Sequence, residues 1–338
     1  MLRIGIIGAG SIAGVVAEAT KKTTSAMISA VTSRVKNNAE KFANSYGIET
    51  VFDHWQDMIG SDKIDAVYVA TPTQVREEIC VAAANAGKHV FAEKPFHSHR
   101  SLMNIINAAR ENNVAFMDAT HFTHNPRTEH LKKTITDEIG KLKLIRSTFY
   151  YPFDDKNNIR FDPAKEPLGS VGDLAWYNMR AIVEFLDSDA DPARITAYSE
   201  KDAETGVIIR ASGAMIFKDG KMSSFDFGFN AGVITMDLDL FGDKGLIRMD
   251  DFVLDWHSGF DFSDGYYPLQ YFVRKNLDEP DSWKKVELKS DRPQKIAMIE
   301  NFVSLTREPD GQAAASSIQR TLQTQKLVDA LFSACNED

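Results

Sequence analysis

The hydrophobic pattern changes character once along the chain. Up to about residue 120, short runs that are apolar at nearly every position alternate with longer stretches that are apolar every third or fourth residue. The short runs are residues 2–7, 27–31, 66–70, 89–92 and 115–118; the longer ones are 12–20, 37–46, 75–86 and 98–112. Strands without polar alternation are buried on both faces, and helices between them supply the cover. This predicts a doubly wound α/β domain with a parallel sheet. Beyond residue 122, helices are expected at 127–138 and 173–186, with strands at 143–150, 193–200, 207–217, 221–230, 235–241 and 246–249. Lys218-Asp219-Gly220-Lys221 reads as a hairpin turn. Two helices, 294–306 and 313–334, close the chain. The expectation is a Rossmann-type domain over 1–122 and an α+β domain over 123–338. The second is built on a mostly antiparallel, open-faced sheet, and the C-terminal helix is placed to pack back on the first domain.

Composition narrows the partners. Of 338 residues, 43% are hydrophobic and 26% charged, ordinary for a globular chain. A net charge of −9 argues against a nucleic-acid partner, which wants a basic face. The N-terminal apolar run is too short and glycine-broken for a signal peptide or a membrane span. Cys80 and Cys335 read as free thiols of a cytoplasmic protein. No His, Cys and carboxylate cluster has metal-ligand spacing, so no metal is expected.

The first run ends in Gly8-Ala9-Gly10-Ser11-Ile12-Ala13, a G-x-G-x-x-A between strand and helix. Gly8 permits the tight turn, Gly10 a close approach of backbone to a pyrophosphate, and Ala13 close helix–sheet packing. Ser11 and Ile12 open the helix whose N–H groups would face the phosphates. About 20 residues on, NAD sites place a carboxylate on the ribose 2′-hydroxyl. Here Thr32, Ser33 and Arg34 stand instead, followed by Lys36. Ser33 can donate to a 2′-phosphate and Arg34 can pair with it, which favours NADP(H) over NAD(H). The plainer alternative is a solvated basic turn. Ala70, Thr71 and Pro72 end the next central run on the same sheet edge.

The fourth of these runs ends abruptly in Glu93, Lys94 and Pro95. Ligands of doubly wound sheets bind outside the carboxyl ends of the strands. Pro95 restricts Lys94 to an extended conformation, so the ammonium is aimed by the backbone. Glu93 is expected either on the nicotinamide ribose or amide, or paired with Lys94. His97 and His99 read as first-turn helix residues.

The stretch 86–95, Ala-Gly-Lys-His-Val-Phe-Ala-Glu-Lys-Pro, together with residues 4–13, resembles the Gfo/Idh/MocA oxidoreductases along the whole chain. Residues 116–128 are similar to the dihydrodiol dehydrogenase branch. The resemblance implies that Lys94 lies near nicotinamide and the substrate hydroxyl. It also implies a D-x-G-x-H/Y motif, met here by Asp173, Ala175 and Tyr177, with alanine where the family has glycine. Tyrosine at the last position resembles the branch acting on sugars and vicinal diols. Tyr177 would then exchange the proton, with Lys94 lowering its pKa and Asp173 orienting a hydroxyl or the lysine. Four residues apart, Asp173 and Tyr177 would share one helix face. Alternatively, Trp176 and Tyr177 are core aromatics and Asp173 caps their helix. His121, Asn125, Trp176 and Arg160 are candidate pocket residues, although Arg160 suits a surface role equally.

The implied activity is an NADP-dependent dehydrogenase or reductase of a sugar, polyol or diol. The alternative is a nucleotide-sensing regulatory protein on the same fold. The aromatic stretches, residues 148–155, 224–230 and 259–272, read as sheet core plus a buried dimer face, with stacking on a sugar or apolar diol as an alternative for some; the open sheet face suggests a homodimer or a dimer-based tetramer.

Overall fold

The computed structural model describes residues 1–153, 155–186, 191–254, 269–290 and 292–337. The chain divides into two compact units. The first holds Met1–His121 and Pro293–Leu322; the second holds the described residues of 122–254, 269–290, 292 and 323–337.

The first unit alternates strand and helix: β1 (Leu2–Ile7), α1 (Ser11–Lys21), β2 (Ala26–Thr32), α2 (Lys36–Tyr46), β3 (Thr50–Phe52), α3 (Trp55–Ile59), β4 (Ala66–Val69), α4 (Thr73–Asn85), β5 (His89–Ala92), α5 (His99–Glu111) and β6 (Phe116–Asp118). The six strands are all parallel in the order β3-β2-β1-β4-β5-β6. The order reverses beside β1, which is the topological switch point of a doubly wound sheet. Fully apolar runs became central strands, as burial on both faces requires: all of Ala66–Val69 is solvent-free. The sequence pattern missed β3 and α3, whose three and five residues are too few to show a period.

The second unit opens with α6 (Pro126–Ile139) and β7 (Leu142–Tyr150). Then come α7 (Gly169–Asp173), α8 (Ala175–Phe185), β8 (Pro192–Lys201), β9 (Ile208–Phe217), β10 (Met222–Gly228), β11 (Leu238–Gly242), β12 (Gly245–Met249), β13 (Leu269–Lys275) and β14 (Lys284–Leu288). One eight-stranded sheet results, ordered β14-β13-β12-β11-β7-β10-β9-β8. Every pairing is antiparallel except β7 with β10. That pair needs a long crossover, and the chain supplies it through α7, α8 and the β8–β9 hairpin. The turn at Gly220 (φ +80°) joins β9 to β10.

Of the two readings of the aromatic stretches, sheet core and dimer face, β10 takes the first. Phe225 and Phe227 of β10 are 1% and 0% exposed and lie on the side carrying α7 and α8. The opposite side carries Arg146 and Arg248, both bonded to Asp239, with Met222 and Ile216 partly exposed. Period-2 alternation puts the aromatic residues on the covered face and leaves the other face mixed in polarity. The stretch 259–272 lies outside the described residues except for β13.

Two further helices, α9 (Gln294–Arg307) and α10 (Gln312–Ala334), end the chain. α9 packs on α1 and β2, and Phe302 stacks on Phe91 at 5.1 Å. Met298, Ile299, Phe302 and Val303 join the same core cluster as Ile4, Ile6, Val31 and Tyr68. Among the described residues, no helix is long and apolar enough to cross a membrane.

Candidate active site

The cofactor edge of the first unit is made mostly of backbone. Gly8 leaves β1 at φ +105°, a region open to glycine. A Cβ there would stand 2.5 Å from the carbonyl oxygen of Ala70. The ends of β1 and β4 therefore approach this closely only because residue 8 has no side chain. Gly10 is the opposite case: a Cβ would meet nothing within 4 Å. It is the N-cap of α1 and offers no side-chain cap, so the first-turn N–H groups are left for an outside acceptor. Ser11 is exposed and Ile12 half-buried at this end. Ala13 is fully buried, as close helix packing asks. The tightest approach is at the next residue, Gly14, where a Cβ would lie 2.2 Å from Tyr46 Oη, and the motif alone did not reveal it.

At the end of β2 the carbonyl of Thr32 accepts from Gly8 N–H at 2.9 Å. Ser33 is half-buried and Arg34 exposed. Lys36 is bonded to Asp53 at 2.7 Å, and that bond lowers the carboxyl pKa of Asp53. Its charge is thus engaged by Asp53. After β4, the Thr71 hydroxyl is buried with no hydrogen-bond partner among the described residues. An open cradle at Gly10, an uncapped helix end and an orphaned Thr71 hydroxyl fit a dinucleotide. Pro72 is the N-cap of α4.

Arg76 went unnoticed in the sequence. It is 4% exposed and donates to the carbonyls of Thr71 and Pro95, and to Thr73 Oγ1 at 3.2 Å. One guanidinium so ties the loop after β4 to the loop after β5. Its three-residue spacing from Thr73 in the first turn of α4 was the only available signal. Glu93 accepts from Tyr68 Oη, a partner in neither sequence alternative. Burial raises its carboxyl pKa although Tyr68, Lys94 and Arg76 oppose the shift. Lys94 follows, half-buried, and its bond to Pro95 is cis. His97 is exposed and precedes α5, rather than standing in its first turn; Ser98 caps that helix.

Asp118 closes the edge. Its Oδ1 accepts from Thr120 N–H at 3.0 Å, and Oδ2 from Thr321 Oγ1. His121 comes next, 3% exposed, with its Nδ1 2.8 Å from the amide nitrogen of Gln294.

The second unit corrects the reading of the other half. Asp173 and Tyr177 do not share one helix. α7 ends at Asp173 and α8 begins at Ala175, with Leu174 between them. Tyr177 N–H bonds back to Leu174 at 3.0 Å, an i to i−3 bond that tightens the turn. Nor does Asp173 cap α8; its Oδ2 accepts from Arg160 Nε. Arg160, expected at substrate or at the surface, lies 4.4 Å over the Phe153 ring and is one-third exposed. Burial lowers its pKa. Asp173 by charge and hydrogen bond, then Glu166 and Tyr177, outweigh that, so the net shift is upward.

Tyr177 is 4% exposed. Its ring meets Phe149 edge-on at 5.2 Å and Phe122 at 6.1 Å. Asn178 Nδ2 donates to Ser147 Oγ at 2.9 Å and fixes α8 over β7. Trp176, a pocket candidate, is fully buried and belongs to the core. Asn125 is also fully buried; its Oδ1 caps α6 by accepting from Arg127 N–H at 2.8 Å, so it serves as a helix cap rather than a pocket edge. The Ala175 methyl is buried in the same core.

Comparison with known proteins bears on both units. Residues 2–120 match the oxidoreductase family with an NAD-binding Rossmann fold, and residues 129–248 match the GFO/IDH/MocA C-terminal domain. A dTDP-3,4-didehydro-2,6-dideoxy-alpha-D-glucose 3-reductase of Streptomyces antibioticus is 28% identical, over 92% of this chain and 90% of its own. An NADP(+)-dependent scyllo-inositol 2-dehydrogenase of Bacillus subtilis is 26% identical over 97% and 95%. Among solved structures, a 3-ketoreductase from Actinomadura kijaniata in complex with NADP and TDP-benzene has the same fold. Its TM-score is 0.86 at 22% identity, covering 97% of this chain and 96% of that one. With the glycine loop and the Glu93-Lys94-Pro95 strand end in place, the chain is a member of the Gfo/Idh/MocA family, an NAD(P)-dependent oxidoreductase.

Proposed function

We propose that the protein transfers a hydride between NADP(H) and a hydroxyl-bearing carbon of a sugar, polyol or vicinal diol. The observation that carries this is the bare N-terminus of α1 over Gly10, an anion cradle on the switch-point edge of a sheet from an oxidoreductase family. NADP is favoured because Ser33 and Arg34 replace the ribose-binding carboxylate, and because the Bacillus subtilis relative is an NADP(+) enzyme and the Actinomadura kijaniata structure is a complex with NADP. In oxidation, the carbinol C–H electron pair leaves as hydride to the nicotinamide ring, and the O–H proton goes to the Tyr177 oxygen. In reduction both steps reverse. A phenol with its ordinary pKa near 10 is a weak base, so a cation is required to favour its ionised form; Lys94 is assigned that role. Crystallised variants of the Actinomadura kijaniata enzyme include one altered at a tyrosine and one at a lysine, which supports this pairing. A purely nucleotide-sensing role would leave the Tyr177 hydroxyl and its Arg160–Asp173 neighbour without a task.

The proposal includes a cytoplasmic protein that assembles as a homodimer, or a dimer-based tetramer, through the open sheet face. Light scattering at micromolar concentration checks the assembly; a monomer would remove it. The activity is checked by a turnover screen of aldoses, inositols and diols with NADP(H) and NAD(H) in parallel. Reduction of NADP by members of one class is the expected result. No nicotinamide absorbance change with any of them would overturn it.

A further inference from the structure

Arg76 breaks the pattern of its own helix. α4 buries Thr73, Arg76, Ile79, Cys80, Ala83 and Ala84, a stripe at helical spacing whose other members are all small or apolar. A guanidinium in that stripe is costly, since burial strips its charge of water. Its Nε–H is buried without a partner among the described residues, so the surroundings do not meet every donor. A methionine or leucine would fill the stripe without that cost. What the guanidinium adds is geometry. Nη2 donates to the Thr71 carbonyl in the loop after β4, while Nη1 donates to the Pro95 carbonyl in the loop after β5 and to Thr73 Oγ1 at 3.2 Å. Both arms lie in one rigid plane, so the loops leaving these two paired strands are held at a fixed spacing.

Lys94 stands between two anchored residues on the second loop. On its N-terminal side, Glu93 N–H donates to the Val69 carbonyl at 2.9 Å, and the Glu93 carboxylate accepts from Tyr68 Oη of β4. On its C-terminal side, Phe96 is buried and its ring lies 5.7 Å from that of Phe116. An apolar contact is non-directional and does not set the orientation of the peptide before it. The bond from Arg76 to the Pro95 carbonyl does.

Resting on the oxidoreductase reading above, we infer that Arg76 is a positioning residue for Lys94. It sets the lysine backbone against the Thr71 loop, and so places the ammonium relative to a nicotinamide cofactor bound along that edge.

The test reads the position of the lysine without any turnover. The oxidised nicotinamide ring carries a positive charge and the reduced ring does not, so a nearby ammonium weakens NADP⁺ relative to NADPH. The dissociation constants of both are measured by titration calorimetry on the full-length wild-type protein, Lys94→Ala, Arg76→Met and the double variant. Lys94→Ala should lower the NADP⁺-to-NADPH ratio of constants by about tenfold, the scale of a unit charge acting in a partly buried site. Arg76→Met should lower it by about threefold or more, since the lysine is displaced rather than removed. Adding Arg76→Met to Lys94→Ala should change the ratio no further, because Arg76 acts through the lysine. Loosened packing alone would weaken both forms of the cofactor alike. An unchanged ratio in Arg76→Met, with Lys94→Ala lowered, would therefore overturn the inference and leave the reading of Lys94 intact. A further drop in the double variant would overturn it too, since the Arg76 charge would then act on the ring directly. An unchanged ratio in Lys94→Ala would instead remove Lys94 from the nicotinamide, and both readings with it. Should Arg76→Met fail to fold, Arg76→Lys keeps the buried charge, gives up the two-armed fork, and is read by the same ratios.

Discussion

The glycine-loop edge of the first unit and the surroundings of Tyr177 in the second are built by different means. Around Gly8, Gly10 and Ala70 the structure is backbone geometry: a φ of +105°, a 2.5 Å approach that no side chain could share, and an uncapped helix end. Six consecutive residues specify it, so a short motif reports it faithfully. Around Tyr177 the structure is side chains gathered from afar: Phe122, Phe149, Phe153, Arg160 and Asp173 come from separate elements. No local pattern encodes that gathering. Backbone sites are legible one-dimensionally, and side-chain sites are legible only once the fold is known.

The largest effect should come from a change at Tyr177 alone. Tyr177→Phe keeps the ring contacts to Phe149 and Phe122 but removes the hydroxyl. It should lower kcat by about 10²–10⁴ with cofactor affinity unchanged, checked by steady-state kinetics and fluorescence titration. Lys94→Ala should cost a similar factor, and the double variant far less than the product, because both disable one proton transfer. A multiplicative double variant would separate the two residues' tasks.

Breaking the cofactor edge should be a backbone event. Gly8→Ala forces a Cβ against the Ala70 carbonyl at positive φ. A loss of about 2–4 kcal/mol in denaturant-measured stability, or of detectable nucleotide binding, is expected. The adjacent Gly10→Ala meets open space, so it should fold normally and weaken only nucleotide binding; calorimetry distinguishes the pair.

Arg34→Ala sharpens the comparison by a side-chain change at the backbone-built edge. NADP(H) affinity should fall by about 1.5–3 kcal/mol and NAD(H) affinity hardly at all. Equal losses in both titrations would reassign the 2′-phosphate contact.

The smallest effect concerns the segment that carries Arg160. Lys156, in that segment, bonds Asp202 and holds its carboxyl pKa down at about 2. A depressed carboxylate contributes stability above its unfolded pKa near 4, and loses it as pH falls toward 2. Asp202→Asn should therefore lower Tm modestly at pH 5–7, with the difference from wild type closing between about pH 4 and pH 2 in calorimetric scans.

Much of the fold could be read beforehand, and the misses have physical causes. β1 and β5 were read to the residue because fully apolar runs bounded by turns admit one interpretation. β14 escaped because Lys284 and Lys285 make it a charged edge strand. The break at Leu174 escaped because its backbone dihedrals remain right-handed helical, leaving the apolar period of residues 173–186 intact across it. At the candidate site, Lys94, Asp173 and Tyr177 were singled out through family motifs. Arg76, and the bond that joins Arg160 to Asp173, were not, since each bridges segments whose proximity only the fold creates.

The return of α9 to the first sheet has a consequence for how the polypeptide is made. Strands β1 to β6 are complete once residue 118 has been synthesised, but Phe91 meets its stacking partner only when Phe302 has followed. For roughly 180 residues of elongation, about 10–40 s at ordinary translation rates, the nascent sheet exposes the apolar surface that Met298, Ile299 and Phe302 will cover. The N-terminal third thus emerges first, yet its core closes only once α9 has been delivered.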